Sequence, residues 1–321
     1  MNWRAYLSFF AVVILWASTP VAVDHLLEEK GLSVLTVLAT TAVFAAMALL
    51  IGAATMGRLQ VVRKWKGRDW AIVIGMGMLG IVGYTSFYYL AFYLAPPDEV
   101  NVVNYLWPLF LVLFARPVLG ERHDWWTWPA IALGFVGAAG IVSQWRLGFL
   151  IEWKFVPPWP SRFGGYYSAI AGAVCWALFS ALGKRLSYDK VTAMAFYCLT
   201  GAVVFSAALL FVGVEVRPDG FDWLLLLYLG AAVNGIAYAL WFMALTKGPT
   251  ALFANLVFIT PFLALIYLWI FDVEPLRPGV WAAAALIVAG ALLAVNRASR
   301  KGPIVPSRVV ADDRRAPNRQ V

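Results

Sequence analysis

The stretch NVVNYLWPLF, residues 101–110, sets two amides, a phenol and an indole beside a helix-breaking proline inside a long apolar run. On a helix, Asn101, Asn104, Tyr105 and Pro108 fall at i, i+3, i+4 and i+7 and share one arc of about 100°. Trp107 lies beside that arc. Such groups do not make or break covalent bonds; they donate and accept hydrogen bonds. Turned to lipid, the amides would be left unpaired, so the face must look into protein or a wet cavity. Pro108 also frees a backbone carbonyl near Asn104, which is tolerated only under the same condition. Two readings follow. Either the amides bond between helices and the proline is a structural kink, or the face binds a solute.

Other chemistry is scarce. The chain has no Walker P-loop and no DDxxD or HExxH pattern, so neither ATP hydrolysis nor a metal-dependent membrane enzyme is expected, and no catalytic residue, cofactor or metal ligand is assigned. A retinal protein would need a lysine deep in a helix, whereas Lys184 and Lys247 fall at helix ends. Cys175 and Cys198 lie in separate apolar stretches and are expected to pack rather than pair. Asp24, His25, Asp98, Glu99, Lys184 and Arg185 are candidate proton carriers, but each reads more simply as a solvated helix end. Glu121 reads as loop structure beside Gly120.

The elements that must hold these residues are membrane helices. Of the 321 residues 62% are hydrophobic and only 13% charged, with a mean hydropathy of +0.77; soluble domains carry about 25% charged residues. Ten apolar stretches long enough to span hydrocarbon as helix run over 4–23, 32–54, 70–94, 99–115, 126–145, 165–183, 191–213, 223–245, 250–271 and 279–296. None alternates as β-barrel strands would. If the N-terminus is cytoplasmic, nineteen Lys and Arg fall inside and six outside, which places both ends in the cytoplasm and makes the net charge of +8 a matter of topology rather than nucleic-acid binding. Although Pro20 to Val23 resembles a cleavage region, the repeat described next argues that the first stretch is retained.

The chain is written twice. Residue n matches n+160 at Ala11 and Ala171, Trp16 and Trp176, and Thr40 and Thr200. Further on the offset is 153, pairing Asp69-Trp70 with Asp222-Trp223, Gly77 with Gly230, Pro108 with Pro261, Glu121 with Glu274 and Gly137 with Gly290. Five helices per copy forces the second copy to enter from the opposite side, an inverted repeat of the kind that builds a midplane site between halves. The expected divisions are a first five-helix repeat over 1–145, an extracytoplasmic loop over 146–164, a second repeat over 165–296, and a basic, disordered cytoplasmic tail over 297–321.

The repeat also selects aromatic pairs: Trp16 and Trp176, Tyr88 and Trp241, Tyr105 and Phe258. Tyr84 joins the Tyr88 face, and Asn234, Tyr238 and Trp241 fall at i, i+4 and i+7. With Asn101, Asn104, Tyr105 and Trp107 they form the expected substrate-binding set, and Pro20, Pro108 and Pro261 are the expected kinks. Amides and aromatics without a carboxylate suit a zwitterionic solute with a bulky apolar side chain better than a bare cation. The glycine-rich fifth and tenth stretches read as scaffold.

ILWAS in the first stretch, VNYLWP in the fourth, the Gly120-Glu121 turn and KGPTALFANLVFITP in the ninth are similar to the EamA family of the drug/metabolite transporter superfamily, and within it to the YddG-like aromatic amino acid exporters. The resemblance covers about residues 5 to 297. It implies ten helices as two inverted five-helix halves in a bacterial inner membrane, around a central cavity lined by helices one, three, four, six, eight and nine. It further implies export of aromatic amino acids; with the cavity chemistry above, aromatic or other bulky neutral amino acids are the expected substrates, and a monomer in the lipid bilayer is the expected state. Export of other metabolites or hydrophobic drugs on the same fold is the alternative.

Overall fold

The computed structural model describes residues 3–95, 97–121, 123–142, 145, 162–213, 216–271 and 279–300. The side chains of Asp98 and Glu99, most of the expected connecting loop, and the tail beyond Arg300 lie outside the described residues. Among the described residues every regular element is helical. In order they are α1 (Trp3–Ala17), α2 (Thr19–Asp24), α3 (Val34–Thr55), α4 (Gly67–Gly77), α5 (Tyr84–Leu94), α6 (Pro97–Asn104), α7 (Trp107–Leu119), α8 (Thr127–Val142), α9 (Arg162–Arg185), α10 (Lys190–Val212), α11 (Gly220–Leu227), α12 (Ala237–Lys247), α13 (Thr250–Leu256), α14 (Ile259–Ile270) and α15 (Gly279–Arg300). Without water, each backbone N–H must bond inside its own segment, and helix is what these Leu-, Val- and Ala-rich runs allow.

Among the described residues seven continuous stretches are long and apolar enough to cross a membrane: Trp3–Glu29, Val34–Thr55, Gly67–Leu94, Gly164–Arg185, Lys190–Val212, Gly220–Lys247 and Thr250–Ile270. Shorter apolar helices run Trp107–Leu119, Thr127–Gly140 and Trp281–Ala294. Polar side chains start several of them. Ser33 accepts from the Thr36 amide at 3.2 Å and Asp189 from the Thr192 amide at 3.0 Å, satisfying N-terminal donors that would otherwise be bare.

Three stretches are interrupted where proline demands it. Pro20 follows a break at Ser18, Pro108 one at Tyr105 and Leu106, and Pro261 one at Val257 and Phe258. The proline ring collides with the carbonyl four residues earlier, and the chain responds with tighter i to i−3 bonds, Leu106 N to Val103 O at 3.1 Å and Thr260 N to Val257 O at 2.9 Å. Between α4 and α5, and again between α11 and α12, the helix widens into π turns over Met78–Gly83 and Tyr228–Ile236. These π segments fall at matching positions of the repeat.

The scaffold is built on close backbone approach. α3 packs on α10, and α8 on α15. A Cβ at Gly137 would lie 2.7 Å from the Ala283 carbonyl oxygen and 3.1 Å from the Ile287 nitrogen; one at Gly290 would lie 2.7 Å from the Ala130 oxygen and 3.0 Å from the Gly134 nitrogen. The two contacts are reciprocal, since 130, 134 and 137 become 283, 287 and 290 at the repeat offset. Because backbone cannot swing aside, Gly290→Ala is expected to lower stability by about 1–3 kcal/mol through overpacking. Gly52→Ala, which would meet nothing within 4 Å, is expected to be neutral or stabilising by up to about 1 kcal/mol. Melting of the two variants in detergent, followed by near-UV circular dichroism, checks the contrast.

Candidate functional site

Trp16 sits in the last turn of α1, immediately before the break that Pro20 imposes. Its ring centroid lies 6.4 Å from Trp107 at the start of α7, 5.8 Å from Trp176 in α9, and 5.9 and 5.5 Å from Tyr238 and Trp241 in α12. Trp107 meets Trp241 at 5.6 Å, and Trp176 meets Tyr238 at 4.8 Å. Most of these pairs meet edge to face, the arrangement that the ring quadrupoles favour. Tyr84 of α5 extends the cluster from Trp176 at 5.1 Å to Tyr88 at 5.7 Å, and the Tyr88 hydroxyl donates to the Asn101 side-chain oxygen. Tyr84 and Tyr105 pack on the core that holds Trp107, Trp176 and Trp241, and Asn104 is buried immediately before Tyr105.

Thus Trp16, Tyr84, Tyr88, Asn101, Asn104, Tyr105, Trp107, Trp176, Tyr238 and Trp241 converge from distant parts of the chain. One expected residue, Phe258, does not join them. Phe258 is fully buried against α8, where a Cβ at Gly134 would come within 2.5 Å of its ring, so it packs on the scaffold side of its helix. Asn234 lies in the second π segment, its carbonyl 3.9 Å from Cys198 Sγ of α10. Pro108 and Pro261 are buried and Pro20 is exposed.

The cluster contains unmatched polar groups. Trp16 Nε1 is a buried donor and Asn104 Oδ1 a buried acceptor, and neither has a hydrogen-bond partner. By contrast Trp241 Nε1 donates to Ser180 Oγ at 3.1 Å, and both residues are fully buried. Ser180 was not singled out from sequence, although it occupies the repeat position of Pro20. Asn255 of α13 is another unanticipated polar group, with neither amide atom partnered at 1% exposure. A lone amide in an apolar run was the available signal for it.

Towards the C-terminal end of α9 the bundle is filled. Phe9 stacks on Phe253 at 4.9 Å, and Phe179 meets Phe242 at 5.0 Å. Beyond them Lys184 spends all three ammonium donors, on Glu121 Oε1 at 2.7 Å, the Gly248 carbonyl at 2.9 Å and Thr250 Oγ1 at 2.9 Å. Thr250 Oγ1 donates to the same Glu121 oxygen at 2.9 Å. The expectation that Lys184 is a solvated helix end and Glu121 plain loop structure is corrected here, because the two sit inside one junction of α9, α12, α13 and the turn after α7. Among the described residues no group of three or more His, Cys, Asp or Glu could hold a metal ion.

Residues 3–143 and 163–296 match the model of the EamA-like transporter family. The chain is 30% identical over 292 residues to the aromatic amino acid exporter YddG of Ancylobacter novellus, across 91% of this chain and 96% of that protein. It is 26% identical over 198 residues to the Escherichia coli protein of the same name, across 61% and 66% of the two chains. Identity to an S-adenosylmethionine uptake transporter of Rickettsia prowazekii is 25% over 167 residues, about half of each chain. A solved crystal structure superposes with a TM-score of 0.80 at 26% identity, over 94% of this chain and all of that one.

Proposed function

The chain belongs to the EamA-like transporter family and is a multi-span membrane transporter, not an enzyme; from that premise we propose that it exports aromatic and other bulky neutral amino acids. In this reading ten helices cross a bacterial inner membrane as two inverted five-helix halves, with both termini cytoplasmic. The solute is held near the midplane and released by alternating access. The reciprocal α8–α15 contact and the matching π segments and proline breaks support the inverted repeat.

The observation that carries the substrate reading is the pair of unmatched polar atoms within an aromatic wall. Trp16 Nε1 offers a donor to a carboxylate, and Asn104 Oδ1 an acceptor to an ammonium. A zwitterion supplies both complements at once, while its aromatic side chain stacks among Tyr84, Trp176 and Tyr238. A hydrophobic amine would satisfy the acceptor and leave the donor bare at a cost of about 1–3 kcal/mol. The names of the two YddG relatives point the same way.

The expected result is rapid uptake of labelled phenylalanine into proteoliposomes preloaded with phenylalanine or tryptophan, and slow uptake against threonine or a hydrophobic amine. Exchange driven by the amine and not by amino acids would transfer the site to the second reading, export of other small metabolites or drugs.

A further inference from the structure

The far end of the bundle from Lys184 is also tied. The helix that starts at Gly220 ends at Lys247, so Asp222 and Gly248 lie about 40 Å apart along one axis at 1.5 Å per residue. At the Asp222 end Lys30 Nζ donates to Asp219 Oδ2 at 2.6 Å, and Ser18 Oγ and Tyr228 Oη lie 2.6 Å apart.

Between these contacts sits His25, in a π turn at the end of α2. Its Nδ1 is 2.6 Å from Glu29 Oε2 and its Nε2 is 3.3 Å from Asp222 Oδ1, with the ring edge-on to Phe221 at 5.3 Å. Asp222 is 1% exposed, and its Oδ2 accepts from the Asp219 backbone amide at 2.8 Å to cap α11. Asp222 Oδ1 and His25 Nε2 lie within ion-pair reach but out of line for a hydrogen bond.

Protonation decides what this pair can become. A neutral ring has one N–H and one lone pair, so a ring that donates from Nδ1 to Glu29 presents a lone pair to the buried carboxylate. Taking up a proton from water at Nε2 converts that lone pair into a second donor. Only imidazolium can hold both carboxylates.

We propose that His25 is the proton-binding member of a latch that, when protonated, clamps the end of α2 onto the start of α11 and slows opening of that end of the transporter. This rests on the transport reading above and adds proton control to it. The charged groups around the ring are Glu29, with Asp24 and Glu28 on the same turn, and Asp222 and Asp219 from α11. α3, packed against α11, carries no titratable side chain. Asp219 is held down to about 2 by the Lys30 ammonium, so that neighbouring pair keeps its charges through the range in which histidine titrates.

The test is phenylalanine counterflow in proteoliposomes with pH matched on both sides, from about pH 5 to about pH 8. Wild type is expected to slow at least about fivefold toward the acid end, and both His25→Gln and Asp222→Asn to lose that dependence. Asparagine keeps the oxygen that caps α11. Nitrogen-15 spectra of histidine-labelled protein give a second readout, with the signal missing from His25→Gln assigning the ring. At acid pH the Nε2–H is expected to be protected from solvent exchange in wild type and unprotected in Asp222→Asn. A wild-type profile that His25→Gln reproduces, or an Nε2–H that exchanges equally fast in both proteins, overturns the latch. Absence of phenylalanine exchange at every pH would overturn the substrate reading instead, leaving the spectra to decide the latch.

Discussion

Trp16→Phe is expected to weaken phenylalanine transport by about 10- to 100-fold while leaving the empty protein as stable as before. The substitution keeps a ring at the centre of the cluster and removes one N–H. That N–H is buried and unmatched in the empty site, so its loss removes a desolvation penalty and breaks no internal bond. A hydrogen bond to a charged group is worth about 1.5–3 kcal/mol, which sets the expected range for loss of a carboxylate partner. Trp241→Phe should do the reverse. Its indole N–H already bonds Ser180 in the dry interior, and removing it strands the serine hydroxyl at about 1–3 kcal/mol of stability. Concentration dependence of counterflow, measured beside thermal unfolding in detergent, separates the two. If Trp16→Phe transports with unchanged apparent affinity, the indole N–H does not bind substrate.

The second large effect is at the other end of the aromatic column. Lys184→Met is expected to cost about 2–4 kcal/mol, because Glu121, the Gly248 carbonyl and Thr250 lose their common donor together. The range sits below that for a fully buried pair, since Lys184 and Glu121 keep 15% and 26% side-chain exposure. Glu121→Gln should cost less than half as much, as the amide oxygen still accepts from both donors. Lys184→Met combined with Glu121→Met should recover most of the loss, because no charge is then left unpaired. The junction joins the turn after α7 to α9 and α13, so the single variant is also expected to raise the rate of exchange with the solvent on that side. Cysteine-accessibility labelling at Thr250, introduced as Thr250→Cys in each background, reads that exposure. Additive stability losses in the double variant would show that Lys184 and Glu121 are not coupled.

Much of this arrangement was legible in the chain. Composition and span length gave a helical membrane protein, and the positions of Pro108 and Pro261 located the breaks to within a turn. The offset between copies paired Trp16 with Trp176, and these rings do meet; it paired Trp241 with Tyr88, but Trp241 meets Trp16 and Trp107 instead. The rotation of each helix was harder to read. A break lets the segments on either side turn independently, so Phe258 could match Tyr105 in register and still face α8. Ser180 and Lys184 were hidden for a different reason. Their importance comes from partners 61 and 63 residues away in sequence, and no local periodicity reports a contact of that kind. The π turns were invisible as well, because in a run that is apolar on every side the shift of phase from one extra residue moves no polar group.

The α8–α15 seam has one further property. Gly137 touches Ala283 and Ile287 as Gly290 touches Ala130 and Gly134, so these contacts occur twice, once from each side of the seam. Contacts of that kind are isologous, the rule for two identical subunits rather than for two parts of one chain. The two patches are therefore self-complementary: each helix carries the glycine and the facing backbone that the other presents. Covalent linkage fixes the partner and frees the copies to diverge. Elsewhere the copies differ, as where Asp24 stands opposite Lys184 and Pro20 opposite Ser180. The seam thus keeps a pairing that positions 20 and 24 have given up.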